Sequence, residues 1–226
     1  MWEVWAALAV ALIVCWYQSS SQALDVDDLR VKLEQAERDS RKLDAYLSDV
    51  QETLEDIPGR LLVLVAEGEL ALGQYDRISL YRYRSEDRCF VGLARFAMHT
   101  PYSAWRRRTY PEDEGFISQA WRNGIYYIED LPSPDNFDEY VSAVQSRAHI
   151  DRSVLKEMRM KSRAYFCVSL RHQHRQVAVL VIETTQPRLP KSTESLKRWA
   201  SQDIAKHLAE MVVLAVSPGR SEKGGT

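Results

Sequence analysis

Two strand-like runs stand late in the globular part of the chain, Ala164 to Leu170 (AYFCVSL) and Gln176 to Glu183 (QVAVLVIE), with only the polar stretch Arg171 to Arg175 between them. Short runs rich in Val, Ile, Tyr and Phe on either side of a polar break read as neighbouring strands joined by a hairpin tip. An earlier pair repeats the pattern. Arg77 to Tyr83 alternates, Ser85 to Arg88 is charged and turn-like, and Cys89 to Phe96 returns to strand residues, which predicts an antiparallel hairpin.

Helices are expected around these strands. Arg60 to Gln74 carries the apolar residues of a buried helix, after a break at Pro58-Gly59. The acidic cluster Glu112 to Glu114 suits a helix N-terminus, Asn123-Gly124 a helix stop, and Ile125 to Ile128 a strand. Asp151 to Met160 places Val154, Leu155 and Met158 at helical spacing. From Ser192 to Val213, Leu196, Trp199, Ile204, Leu208 and Val212 group on one side of an amphipathic helix, before a tail over Ser217 to Thr226 read as disordered. The domain thus opens and closes with helices.

Ahead of it lies Val4 to Tyr17, VWAALAVALIVCWY, without one charge. Trp2, Trp5, Trp16 and Tyr17 sit where an interfacial aromatic belt would place them, so the segment is expected to anchor the chain in a membrane. A cleaved leader is the competing reading, because Ser21-Gln22-Ala23 resembles a small-x-small cleavage site, although a basic n-region is missing. Lys and Arg occur only after the run, which favours a cytoplasmic C-terminal side.

From Val26, apolar or small residues then recur at spacings of three and four: Leu29, Leu33, Ala36, Ser40, Leu43, Leu47, Val50, Leu54 and Ile57. Charged and amide residues fill the intervals, the pattern of a coiled-coil seam, and a homodimer is the expected assembly.

With 226 residues, 45% of them hydrophobic, the chain can bury one sizeable core. A net charge of -2 gives no electrostatic reason to expect a nucleic-acid partner. The three cysteines, Cys15, Cys89 and Cys167, have neither metal-ligand nor disulfide-framework spacing.

The segment EGFISQAWRNGIYYIEDLP, followed by MKSRAYFCVSL and QVAVLVIET, resembles the GAF family over about Ile57 to Val213. The resemblance implies an antiparallel sheet with terminal helices on one face and a small-ligand pocket on the other. The subtypes with distinctive residues do not fit. Asn136-Phe137-Asp138-Glu139 is contiguous, lacks the Lys of cyclic-nucleotide binders, and reads as an acidic loop. Cys89 and Cys167 precede Phe90 and Val168 rather than the His often found beside a bilin, and they lack the reactive cluster of the methionine sulfoxide reducers.

Strand alternation puts Ser79, Tyr81, Tyr165, Cys167 and Ser169 on consistent faces, and these, with Arg95 and Trp105, are the candidate pocket residues. Trp105-Arg106-Arg107-Arg108 has the composition to hold an anion, or to be a solvated loop. His172 and His174 are expected at an exposed hairpin tip rather than on a metal. Pro111 to Tyr140 is strongly acidic and Ser142 to Arg175 strongly basic, a polarity suited to a partner, to phosphate, or to mutual neutralisation.

No nucleophile with a positioned base, metal set or phosphate loop is found, and no cofactor is assignable. The expected protein is therefore an α+β, GAF-like sensor at 58–214, preceded by a transmembrane helix over 1–23 and a coiled coil over 24–57. It is a non-enzymatic single-pass membrane subunit, in the inner membrane if bacterial, that binds a small ligand. The alternative is a dimeric adaptor without a ligand that recruits a separate effector protein.

Overall fold

The structure, a computed structural model, describes residues 29–46, 48 and 56–215, and the chain divides into two compact units, Met1–Glu52 and Thr53–Thr226. In the first unit, residues 29–46 form a helix. Its seam positions are open to solvent, with Leu29, Leu33 and Leu43 exposed by 63%, 61% and 58%. The outer face carries ion pairs such as Arg38 with Glu34 and Arg41 with Glu37, each one turn apart and too exposed to contribute much. Seam positions Val26, Leu47, Val50 and Leu54, and the expected disordered tail, lie outside the described residues.

The expected membrane location needs correction. No helix among the described residues is long and apolar enough to cross a membrane. The run Val4 to Tyr17 that prompted the expectation lies outside them.

The second unit is a six-stranded sheet with helices. Strands β1 (Asp76–Arg84), β2 (Cys89–Phe96), β3 (Thr109–Pro111), β4 (Ile125–Ile128), β5 (Ala164–His172) and β6 (Arg175–Thr184) lie in the order β3-β2-β1-β6-β5-β4. Every neighbouring pair is antiparallel. The β5–β6 hairpin turns through Gln173 and His174, both at positive φ, the geometry that matches the strand twist in a two-residue turn. His174 is exposed there, as the polar tip predicts.

Helix α1 (56–64) passes into a π-helical turn, Val65–Glu69, and α2 is the short Thr100–Ser103. They are followed by α3 (Gly115–Asn123), α4 (Phe137–Ala148), α5 (Arg152–Glu157), α6 (Thr193–Ala200) and α7 (Asp203–Ala215). Pro58 and Gly59 stand within helical backbone rather than at a break, since the fixed φ of proline is itself helical. Helix α3 stops at Gly124, whose φ of 81° is open to glycine and whose N–H returns to the Ala120 carbonyl at 2.8 Å.

Two expectations fail here. Asn136 to Glu139 is the start of α4, not a loop, with the Asn136 amide donating to Glu139 at 2.8 Å. Tyr140, Val141, Val144 and Ala148 then recur at helical spacing and are buried. Nor do all the helices keep to one face: the terminal ones do, as the resemblance implies, but α3, α4 and α5 lie on the other. Leu62 of α1, Leu196 and Trp199 of α6 and Leu208 and Val212 of α7 cover the face of Ile78, Leu80, Phe166, Leu180 and Ile182. Phe116 and Ile117 of α3, Tyr140 and Val144 of α4 and Leu155 of α5 cover the face of Tyr81, Tyr165, Cys167 and Val181. The sheet is therefore buried on both sides.

The β1–β2 ladder slips by one residue. Leu80 pairs with Ala94 but Tyr81 with Gly92, which leaves Leu93 as a bulge. Gly92 and Arg95, three apart and so opposed in a regular strand, thereby reach the same face.

Phe166, fully buried at the centre of the first core, sets the scale of packing stabilisation. Phe166→Ala is expected to cost about 3–5 kcal/mol in urea denaturation followed by circular dichroism. A loss below about 1 kcal/mol would mean that the sheet is not sandwiched as described.

Candidate binding pocket

On the second face of the sheet the polar residues of β1, β2 and β6 converge. Arg77 on β1 stands opposite Glu183 on β6, and its Nε donates to the Glu183 carboxylate at 2.7 Å. Glu183 is only 4% exposed. Its other oxygen accepts from the Ser162 hydroxyl at 2.8 Å, and Arg77 also donates to the Tyr102 carbonyl at 3.2 Å. The Tyr140 hydroxyl donates to the Ser162 carbonyl at 3.1 Å, which ties α4 to the same centre.

One residue pair further along the sheet, Arg95 stands opposite Ser79 and donates to its hydroxyl at 2.9 Å. A second nitrogen donates to the Tyr81 hydroxyl at 2.9 Å, and the guanidinium lies 3.7 Å from the centre of the Trp105 ring. Trp105 can take this place because residue 92 is glycine. A Cβ there would overlap the indole ring. Tyr81 meets Trp105 edge-on at 5.6 Å.

Of these groups, Arg77 and Arg95 reach a cavity of about 120 Å³. Arg77, Arg95 and Tyr110 line it from the sheet, Arg106 and Arg107 from the segment before β3, and Val154, Met158, Arg159 and Met160 from α5 and the chain after it. Five guanidiniums thus meet there. Arg77 is neutralised by Glu183, and Arg107 by both oxygens of Glu114. Arg95 and Arg106 instead face neutral oxygens, Arg106 donating to the Glu157 carbonyl at 3.1 Å. Glu157 is the cavity's own lining carboxylate.

A larger hollow of about 400 Å³ lies beside the β1–β2 hairpin, lined by Arg88, Glu112, Trp121 and Arg122. Arg88 is paired there with Glu112 at 2.8 Å, leaving less unbalanced charge than in the smaller cavity.

The seven residues expected at a pocket separate into two groups. Ser79, Tyr81, Arg95 and Trp105 come together in one hydrogen-bonded and stacked unit, with Arg95 lining the cavity. Tyr165 packs on Phe116 at 4.6 Å, Cys167 is fully buried opposite Val181, and Ser169 stands opposite Val179. None of these three lines the cavity. The Trp-Arg-Arg-Arg run also divides, with Trp105 under Arg95, Arg106 at the end of α5 and Arg107 on Glu114. Between the acidic and basic segments, Arg152 pairs with Asp138 at 2.6 Å.

Sequence reasoning missed Arg77, Glu183, Tyr110 and Ser162. The signal was present for the first two: Arg77 is one alternation step before Ser79, and Glu183 one step after Val181 on the same face.

The electrostatics follow from the pairing. Burial alone would raise the Glu183 carboxyl, but the charge and hydrogen bond of Arg77, aided by Arg95 and Ser162, hold it below the usual range. Burial likewise opposes charge on Arg77, and Glu183 overcomes it and keeps the guanidinium firmly protonated. Burial pushes the Tyr140 phenol up to about 12 and the Tyr110 phenol higher, so both remain neutral donors. Burial also pushes the Cys167 thiol well up, which removes thiolate character.

Removing one partner of a buried ion pair strands the other. Glu183→Gln is expected to cost about 3–5 kcal/mol in chemical denaturation at neutral pH. A carboxyl depressed on folding contributes fully above its unfolded value of about 4.3, and the contribution is lost as pH falls through the folded value. Between about pH 5 and 2, wild type should therefore lose stability more steeply than Glu183→Gln; parallel acid slopes would show that the pair contributes nothing.

No family model matches the sequence, and no curated protein matches it. Solved structures do. The GAF domain of an Acinetobacter phosphoenolpyruvate-protein phosphotransferase superimposes with a TM-score of 0.51 at 15% identity, over 75% of this chain and 87% of its own. The corresponding GAF domain from Coxiella burnetii gives 0.50 at 18% identity, over 72% and 83%. A type II free methionine-R-sulfoxide reductase from Thermoplasma acidophilum gives 0.48 at 14% identity, over 72% and 93%. With its six-stranded antiparallel sheet and a pocket on the face opposite the terminal helices, the described domain has the GAF fold.

Proposed function

We propose that this chain is a regulatory subunit whose GAF domain binds a small ligand in the pocket over Arg95. One observation carries the reading: a half-buried guanidinium, held in place by Ser79, Tyr81 and the Trp105 ring, lines a cavity without an acidic side chain paired to it. A charge held this way in a structure built only for stability would ordinarily be paired. Cys89 and Cys167 are both buried, and burial suppresses thiolate formation at Cys167, which supports a binding role over thiol chemistry.

The helix at residues 29–46 belongs to the same proposal. Its open leucine seam supports pairing with a second copy as a coiled coil, which would couple the two pockets and present a surface to a separate effector. The competing reading is a dimeric adaptor with an empty pocket. It draws on the same exposed seam.

Native mass spectrometry of the full chain tests both parts. The expected species is a dimer that retains one small molecule per chain, and Leu33→Asp combined with Leu43→Asp is expected to give monomers. A ligand-free dimer favours the adaptor. A monomeric wild type overturns the coiled coil.

A further inference from the structure

The chemistry of the cavity wall goes further than the presence of a pocket. We propose that the ligand is a short aliphatic carboxylate of about three to five carbons, with its carboxylate on Arg95 and its chain against Val154, Met158 and Met160; this rests on the pocket reading above.

Size comes first. A cavity of about 120 Å³ is below the roughly 150 Å³ that holds benzene, and far below the roughly 300–1,000 Å³ of drug-sized sites. It cannot enclose a nucleotide or a fused-ring ligand. Charge comes next. Five guanidiniums outnumber the carboxylates about them, Glu183 on Arg77, Glu114 and Asp151 about Arg107, and Glu157 on the lining, which leaves the site positive, so an anion is favoured over a cation or a neutral metabolite.

The third argument separates carboxylate from a bare oxyanion. Phosphate and sulfate present oxygen in every direction and need donors all round. Here four of the five guanidiniums lie on the sheet and on the segment before β3, while the wall supplied by α5 and the residues after it is formed by Val154, Met158 and Met160 with one donor, Arg159, at its exposed rim. Val154 and Met158 are partly buried and Met160 is buried. A wall of this kind desolvates an oxyanion without replacing its hydrogen bonds, yet it suits a methylene chain. The guanidinium fork matches a planar carboxylate, and a stack on Trp105 fixes the plane of the fork. Arg106 and Arg159, both exposed at the rim, give a second carboxylate somewhere to go.

The test is calorimetric titration of the full chain with sodium butyrate, sodium succinate and sodium phosphate, at ionic strength held constant with sodium chloride. At least one carboxylate is expected to bind once per chain, and phosphate to give no heat beyond dilution. Arg95→Lys keeps the charge but loses the fork, and is expected to weaken the carboxylate at least about ten-fold. Arg106→Ala, an exposed change that the fold tolerates, should weaken succinate more than butyrate and carries the test if Arg95→Lys does not fold. Phosphate binding as tightly as the carboxylates, or carboxylate binding untouched by either variant, overturns the assignment. If no carboxylate binds but native mass spectrometry finds another molecule lost in Arg95→Lys, the class is wrong and the pocket stands. If the wild type binds no probe and retains nothing, both fail.

Discussion

The buried pair of Arg77 and Glu183 is the interaction on which the second face of this domain depends. It joins β1 to β6 across 106 residues of chain, and its remaining hydrogen bonds draw in Ser162 before β5 and the Tyr102 carbonyl at α2. Two charges of opposite sign inside a protein gain little net stability over an apolar pair, but they are specific: each is intolerable without the other. The pair therefore acts as a register pin. A slip of β6 against β1 by one residue would turn Glu183 towards the apolar core of Leu62, Leu180 and Leu208.

Around this pin the two faces divide their tasks. The face under α1, α6 and α7 is almost entirely apolar and carries the packing energy. The face under α3, α4 and α5 mixes aromatic rings with arginines, some paired with carboxylates, as Arg77 with Glu183, and others, Arg95 and Arg106, bonded to neutral hydroxyls and carbonyls. Such an arrangement leaves the charge of Arg95 and Arg106 without a carboxylate bonded to it.

Much of the fold was legible because periodicity is local. The strands Cys89–Phe96 and Ile125–Ile128 coincide with their sequence runs, and the other long strands differ by one or two residues at their ends. Helix α4 was equally legible in Tyr140, Val141 and Val144, yet the acidic start at Asp138 and Glu139 drew attention to loop chemistry instead. The pocket was legible only in part. Alternation marks which residues share a face, and it grouped Ser79 and Tyr81 correctly. Whether a charge at a strand end is buried depends on a partner far away in sequence, so Arg77 and Glu183 looked like surface residues until the strands were placed side by side.

The bulge at Leu93 has a consequence for how such a pocket can be gained or lost. Gly92, which makes room for the indole, and Arg95, which lies on it, share a face because the ladder sets aside the one extra residue, Leu93, between them. A single-codon deletion at position 93 would remove the bulge yet keep Leu80 opposite Ala94 and Ser79 opposite Arg95, whereas pairing the strand regularly with Leu93 retained would turn Arg95 towards the apolar side of the sheet. The bulge, and not the alternation of the strand, therefore decides which side of the sheet the residues beyond Leu93 present.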